Sequence, residues 1–136
     1  MRILNYFFVL LGSLLFFQAA LAVESVSTSY TEKNLAFTVS ENNPQFTIKL
    51  TSNPTTGYRW FLRNYDANLI QPVKHAFLAA DNKKLIGAPG YEVWRFKVKP
   101  AGFSVPQQTI IRFVYARPFE MNDDAKQLVF NVTTTQ

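Results

Sequence analysis

The sequence predicts an all-β fold, a two-sheet sandwich or a barrel of seven or so short strands. Three observations predict it. Apolar and polar residues alternate with period two in segment after segment, and the inward set is rich in aromatic and β-branched side chains. Clusters of Asn, Pro, Gly and Asp punctuate the alternation at short, regular intervals. No stretch after residue 22 carries a convincing helical period. With 48% hydrophobic and 15% aromatic residues in 136, the chain can build one packed core.

Residues 1–22 are read apart from the rest. Arg2 is followed by an apolar run through Ile3, Leu4, Phe7, Phe8, Val9, Leu10, Leu14, Leu15, Phe16 and Phe17, closed by Ala20-Leu21-Ala22. A basic start, an apolar centre and small residues at the end are the parts of a secretory signal peptide. Gly12, Ser13 and Gln18 interrupt the run and favour cleavage after Ala22 over a retained membrane anchor. The expected mature chain is 23–136, periplasmic or secreted, with no stable membrane association after cleavage.

The strands follow in order. Leu35, Phe37 and Val39 alternate with Ala36, Thr38 and Ser40 over 35–40. Phe46, Ile48 and Leu50 do the same over 45–51. Segments 58–63 and 69–78 come next, and Pro72 suits the second to an edge. Trp94, Phe96 and Val98 alternate with Arg95, Lys97 and Lys99 over 92–99. Ile110, Ile111, Phe113, Val114 and Tyr115 mark 108–116, and Leu128, Phe130 and Val132 mark 126–134.

The connections separate into two kinds. Three are distinctive: the one through Asn53-Pro54-Thr55-Thr56-Gly57, the long one ending in Gly87-Ala88-Pro89-Gly90, and the one opening with Arg117-Pro118-Phe119. They are every second connection. Strands that alternate in direction therefore put all three at one end of the sandwich, where loops on a rigid scaffold serve recognition.

Composition removes several chemistries. The chain has no cysteine, hence no disulfide, thiol nucleophile or thiolate metal site. Its single histidine, His75, disfavours a zinc site or a histidine-based triad and is expected to be structural. No nucleophile–base pair or metal-ligand spacing appears, so the chain is not expected to be an enzyme or to hold a cofactor or metal. The formal charge of +5, from 14 Lys+Arg against 9 Asp+Glu, is modest and scattered along strands, which argues against nucleic-acid binding.

Each distinctive loop has an ordinary reading beside the functional one. Asn53-Pro54-Thr55-Thr56-Gly57-Tyr58 is a tight turn by local chemistry, with Pro fixing one φ and Gly allowing a positive one. Its threonines offer hydroxyls, methyls and main-chain groups to a partner. Tyr58 and Trp60 share strand parity and are expected in the core, with Tyr58 buttressing the loop. Gly87-Ala88-Pro89-Gly90 permits close backbone approach but lacks phosphate-loop spacing, and Tyr91 adds an aromatic rim. Lys83 and Lys84 read as solvated. Phe119 either folds back on the core rim or stands beside Arg117 as a binding hot spot. Asp123 and Asp124 are loop acids. Asn131-Val132-Thr133 matches a glycosylation acceptor but lies in a strand.

Taken in order, Asn53-Pro54-Thr55-Thr56-Gly57-Tyr58 followed by Trp60, then Gly87-x-x-Gly90, then Arg117-Pro118-Phe119, resemble the chagasin family of cysteine-peptidase inhibitors over about residues 34–134. Phe119 departs from the family's usual Trp. The resemblance implies an immunoglobulin-like two-sheet β-sandwich of about seven to eight strands. It implies reversible, non-covalent inhibition of papain-like, cathepsin-L-like peptidases by three loops wedged into the active-site cleft. Thr55 and Thr56 would insert at the centre, and 87–91 and 117–119 would flank them. The chain is expected to act as a monomer. The rival expectation is a secreted immunoglobulin-like module that uses the same face for an envelope, adhesin or carbohydrate partner.

Overall fold

A computed structural model describes residues 27–79 and 87–136. The expected leader over 1–22 and the lysines Lys83 and Lys84 lie outside the described residues. Among the described residues there are eight strands: β1 (Thr28–Tyr30), β2 (Ala36–Ser40), β3 (Gln45–Ser52), β4 (Arg59–Tyr65), β5 (Ile70–Leu78), β6 (Gly90–Val98), β7 (Gln107–Ala116) and β8 (Lys126–Thr135). They form two four-stranded sheets, one ordered β1-β3-β6-β5 and the other β2-β8-β7-β4. β1 runs parallel to β3 and β2 parallel to β8, while every other pairing is antiparallel. Seven of the strands coincide with the alternating segments. β1 is an addition, three residues long at a sheet edge.

The alternation is the cause of the sandwich. Phe46, Ile48 and Leu50 of β3 and Phe96 and Val98 of β6 point inward from one sheet, and Ile111, Phe113, Phe130 and Val132 from the other. Phenylalanine dominates the seam between them. The Phe46 ring stacks on Phe96 at 5.4 Å, Phe96 meets Phe113 edge-on at 6.2 Å, and Phe113 meets Phe130 at 6.0 Å and 90°. Phe37 closes the row against Phe46 at 5.1 Å. Edge-to-face and offset pairs are the favoured aromatic geometries, and each ring fully removed from water stabilises the fold by about 1.5–3 kcal/mol. A core of this kind serves where no disulfide is possible.

Two irregularities interrupt the pairing of the edge strands β4 and β5. Register shifts occur between Leu62 and Asn64 in β4 and between Pro72 and Lys74 in β5. Pro72 brings no amide hydrogen to a ladder, and β5 is an edge strand, as proline requires.

Pairing register fixes where the loops emerge. Ser52 of β3 lies opposite Gly90 of β6, and Leu78 of β5 opposite Tyr91. In the other sheet Arg59 of β4 lies opposite Ala116 of β7, and Tyr115 opposite Lys126 of β8. The β3–β4, β5–β6 and β7–β8 connections therefore leave from one end of the sandwich.

Candidate functional site

The β3–β4 loop is a closed turn held by its own side chains. Pro54–Thr56 form a short 3₁₀ turn in which Thr56 N–H donates to the Asn53 carbonyl at 3.2 Å and Gly57 N–H to the Pro54 carbonyl at 3.0 Å. Proline fits the first position, where its fixed φ is suitable and an amide hydrogen is not needed. Gly57 closes the turn at φ 79°, a left-handed conformation that other residues adopt at a cost. The Thr55 hydroxyl donates to Asn53 Oδ1 at 2.6 Å, and the Thr56 hydroxyl to the Asn53 carbonyl at 2.7 Å. Thr56 Oγ1 in turn accepts from Tyr58 N–H at 3.3 Å. Both threonines are exposed, yet their hydroxyls are engaged within the loop. These bonds fix the shape of the turn in advance of any partner.

Cross-ties join this turn to its neighbours. Asn53 Nδ2 donates to the Gly87 carbonyl at 3.1 Å, which links the β3–β4 loop to the β5–β6 loop. Arg117 Nε donates to the Thr56 carbonyl at 3.3 Å, which links it to the β7–β8 loop. The Arg117 guanidinium also lies over the Tyr58 ring, 4.9 Å from its centroid, and reaches Glu120 at 3.5 Å. Tyr58, expected in the core beside Trp60, is instead only half-buried and outside it; its ring leans on Tyr115 at 5.5 Å and buttresses the loop. Trp60 is in the core at 2% exposure, and its indole N–H donates to the Thr51 carbonyl at 2.9 Å.

The flanking loops differ in character. On one side Gly87 takes φ 80° and Pro89 is exposed, while Gly90 is buried at the start of β6. A Cβ on Gly90 would collide with the Leu78 carbonyl and the Phe77 ring, so close strand approach explains this glycine. Tyr91 stands at the rim with the Lys49 ammonium 3.9 Å from its ring centre. On the other side Arg117, Pro118 and Phe119 are all exposed, and Phe119 is 100% exposed. The ring does not fold back on the core rim. A groove of about 560 Å³ opens at this end of the sandwich, with Thr56, Tyr58, Tyr115, Ala116, Glu120 and Lys126 among its lining.

The three loops bring the motifs' loop residues to one end of the sandwich, all of them exposed or half-buried except Gly90, which is buried in strand packing. This end also uses residues that the motifs do not contain: Tyr115, Ser52, Glu92 and His75. A signal for two of them lies in the alternation. Ser52 continues the inward parity of Phe46, Ile48 and Leu50, and Glu92 begins that of Trp94, Phe96 and Val98. Polar groups at inward positions beside a loop demand partners. Both are buried, and they bond to each other at 2.7 Å.

Among the described residues no three of His, Cys, Asp and Glu gather as a metal site. The Thr55 and Thr56 hydroxyls both donate to Asn53. What the geometry can do is bind: the β-sandwich presents at one end the 53–57 turn, tied to Gly87 and Arg117, with the ring of Phe119 fully exposed in the loop that Arg117 opens. This defines a recognition protein that acts by shape.

The particular kind of recognition protein follows from comparison. The model of the chagasin-family peptidase inhibitors I42 matches residues 39–134, and the chain belongs to that family. It is an inhibitor of peptidases and not an enzyme. Solved structures of the same fold include the cysteine protease inhibitor EhICP2 from Entamoeba histolytica, with TM-score 0.64 and 23% identity over 79% of this chain and 94% of that one. Amebosin is similar at TM-score 0.60 and 22% identity, covering 81% and 98%. PbICP-C, solved in complex with falcipain-2, is similar at TM-score 0.56 and 18% identity, covering 81% and 92%. No curated protein sequence matches the chain.

Proposed function

We propose that the chain inhibits papain-type cysteine peptidases reversibly and without a covalent bond, by seating the three-loop face in the active-site cleft. Thr55 and Thr56 occupy the centre of the cleft, and 87–91 and 117–119 lie on its two walls. The observation that carries this reading is the pair of cross-ties, Asn53 to Gly87 and Arg117 to Thr56, which hold the 53–57 turn to a residue of each flanking loop. Rigidity matters because ordering loose loops on binding reduces affinity. The shared fold of EhICP2, a cysteine protease inhibitor, and of PbICP-C, which binds falcipain-2, supports the choice of target class. An interface of standard size buries roughly 800 Å² per partner, which three loop tips and the adjoining groove can supply.

Titration of the chain 23–136 into papain and a cathepsin-L-like enzyme tests the reading. Stoichiometric, reversible loss of activity is expected. Full peptidase activity across several such enzymes at micromolar inhibitor overturns it. The accompanying proposal of export to the periplasm or beyond rests on residues 1–22. Sequencing the N-terminus of the exported chain checks it, and the expected first residue is Val23.

A further inference from the structure

Glu92 is a carboxylate at 3% exposure, on the inward side of β6 and two residues after Gly90. A buried carboxylate is tolerated only when its oxygens are well satisfied. Oε1 accepts from the Ser52 hydroxyl at 2.7 Å and from the Trp60 amide at 2.9 Å. Oε2 lies 3.0 Å from His75 Nε2. Ser52 is the last residue of β3 and Trp60 the second of β4, so the chain between them is the β3–β4 loop. One carboxylate oxygen therefore grips both stems of that loop. Glu92 itself directly follows the 87–91 loop. An apolar side chain of similar volume would fill this space without any of these directional contacts.

We propose that Glu92 is the positioning residue of the peptidase-binding face. Through Ser52 and Trp60 it sets the separation of the two stems of the central loop and fixes that loop against 87–91. The proposal rests on the inhibitory reading given above. His75 completes the arrangement from β5. Its ring lies flat on Trp94, 3.8 Å between centroids at 15°, and engages Oε2, leaving Oε1 for the two stems. A face whose competent shape is only fractionally populated binds with affinity reduced by that fraction. Loosening the stems thus weakens inhibition while every contacting side chain remains.

The test compares variants of the chain 23–136. Glu92→Leu removes both acceptor oxygens, and Glu92→Gln keeps one for Ser52 and Trp60. Val132→Ala, in the middle of β8, serves as a control for lost core packing. Amide hydrogen exchange is read at Thr56, Gly57 and Trp60, alongside the melting temperature and the inhibition constant against papain. Glu92→Leu is expected to speed exchange at these amides and weaken inhibition by about tenfold each, the effect of a tenfold fall in the competent fraction. Glu92→Gln recovers most of both. Val132→Ala, at a similar or greater loss of melting temperature, changes neither. Should Glu92→Leu fail to fold, Ser52→Ala removes one arm and is held to the same criteria. Loop exchange equal to wild type, or an equal effect of Val132→Ala, overturns the proposal. Exchange is read without any peptidase. A wild-type chain that inhibits nothing therefore counts against the inhibitory reading, and the exchange data still decide the role of Glu92.

Discussion

The main-chain N–H of Asn53 donates to the phenolic oxygen of Tyr115, 62 residues away, at 3.2 Å. The bond ties the first residue of the central loop to the strand that ends in the third loop. The Tyr115 ring meanwhile packs on Trp60 at 4.9 Å and on Tyr58 at 5.5 Å. Oxygen and ring thus have separable jobs.

Tyr115→Phe keeps the ring and deletes the oxygen. A hydrogen bond of this type contributes about 1 kcal/mol. Denaturant unfolding is expected to show a loss of that order, and the inhibition constant is expected to rise several-fold because the Asn53 amide is no longer held. An inhibition constant equal to wild type would show that the other ties suffice to fix the loop.

Thr56→Arg puts a long charged side chain at the tip of the turn. Thr56 is exposed and contributes nothing to the core, so the circular dichroism spectrum and core amide protection should survive. Inhibition of papain should fall by orders of magnitude, since the substituted loop no longer fits the cleft. A folded variant that inhibits as well as wild type would remove the β3–β4 loop from the wedge.

Phe119→Ala separates binding from stability. A side chain fully in water contributes within about ±0.5 kcal/mol to folding, so the melting temperature should not move. Binding should weaken by about 1–3 kcal/mol if the ring meets the peptidase as a hot spot. Phe119→Trp, which restores the family's usual residue, adds apolar area and an indole N–H donor and should tighten binding.

Tyr30 predicts an alkaline limit. Burial pushes its hydroxyl above the usual 10.0, against a smaller opposite pull from its hydrogen bond with Thr28. The folded chain therefore holds this proton more tightly than the unfolded chain. The associated stability is complete below the unfolded pKa and is lost as pH rises through the folded one. Urea midpoints should fall more steeply above about pH 10 for the wild-type chain than for Tyr30→Phe.

Legibility in the sequence followed the strength of the local physical signal. Seven strands announced themselves because one face is buried, and burial imposes period two. β1 did not, because three residues, Thr28–Tyr30, are too few to alternate and lean on β3 only through an edge pairing. Leu35 was expected to share the inward row of Phe37 and Val39, but it precedes β2 and is exposed at 39%. Trp94 shares parity with Phe96 and Val98 yet is only half-buried, since it lies toward edge strand β5 beneath His75. The common end of the three loops was readable from connection order alone. The ties among them were not. Asn53 to Gly87 and Arg117 to Thr56 join positions far apart in the chain, and only the register of both sheets brings them together.

The closed turn at 53–57 bears on how long an inhibitor of this design lasts. Peptidases cut chains that lie extended across their clefts, with the scissile carbonyl open to attack. Here the Asn53 and Pro54 carbonyls already accept hydrogen bonds from Thr56 and Gly57, and Pro54 and the left-handed Gly57 hold the segment curled. Straightening it would break those bonds together with the threonine hydroxyl contacts to Asn53. In the proposed docking this segment lies nearest the enzyme's cutting machinery, and its curled, bonded shape would make it a poor substrate there. On that reading, the contacts that give the loop its shape would also protect it from digestion, so that one molecule could leave intact and act again.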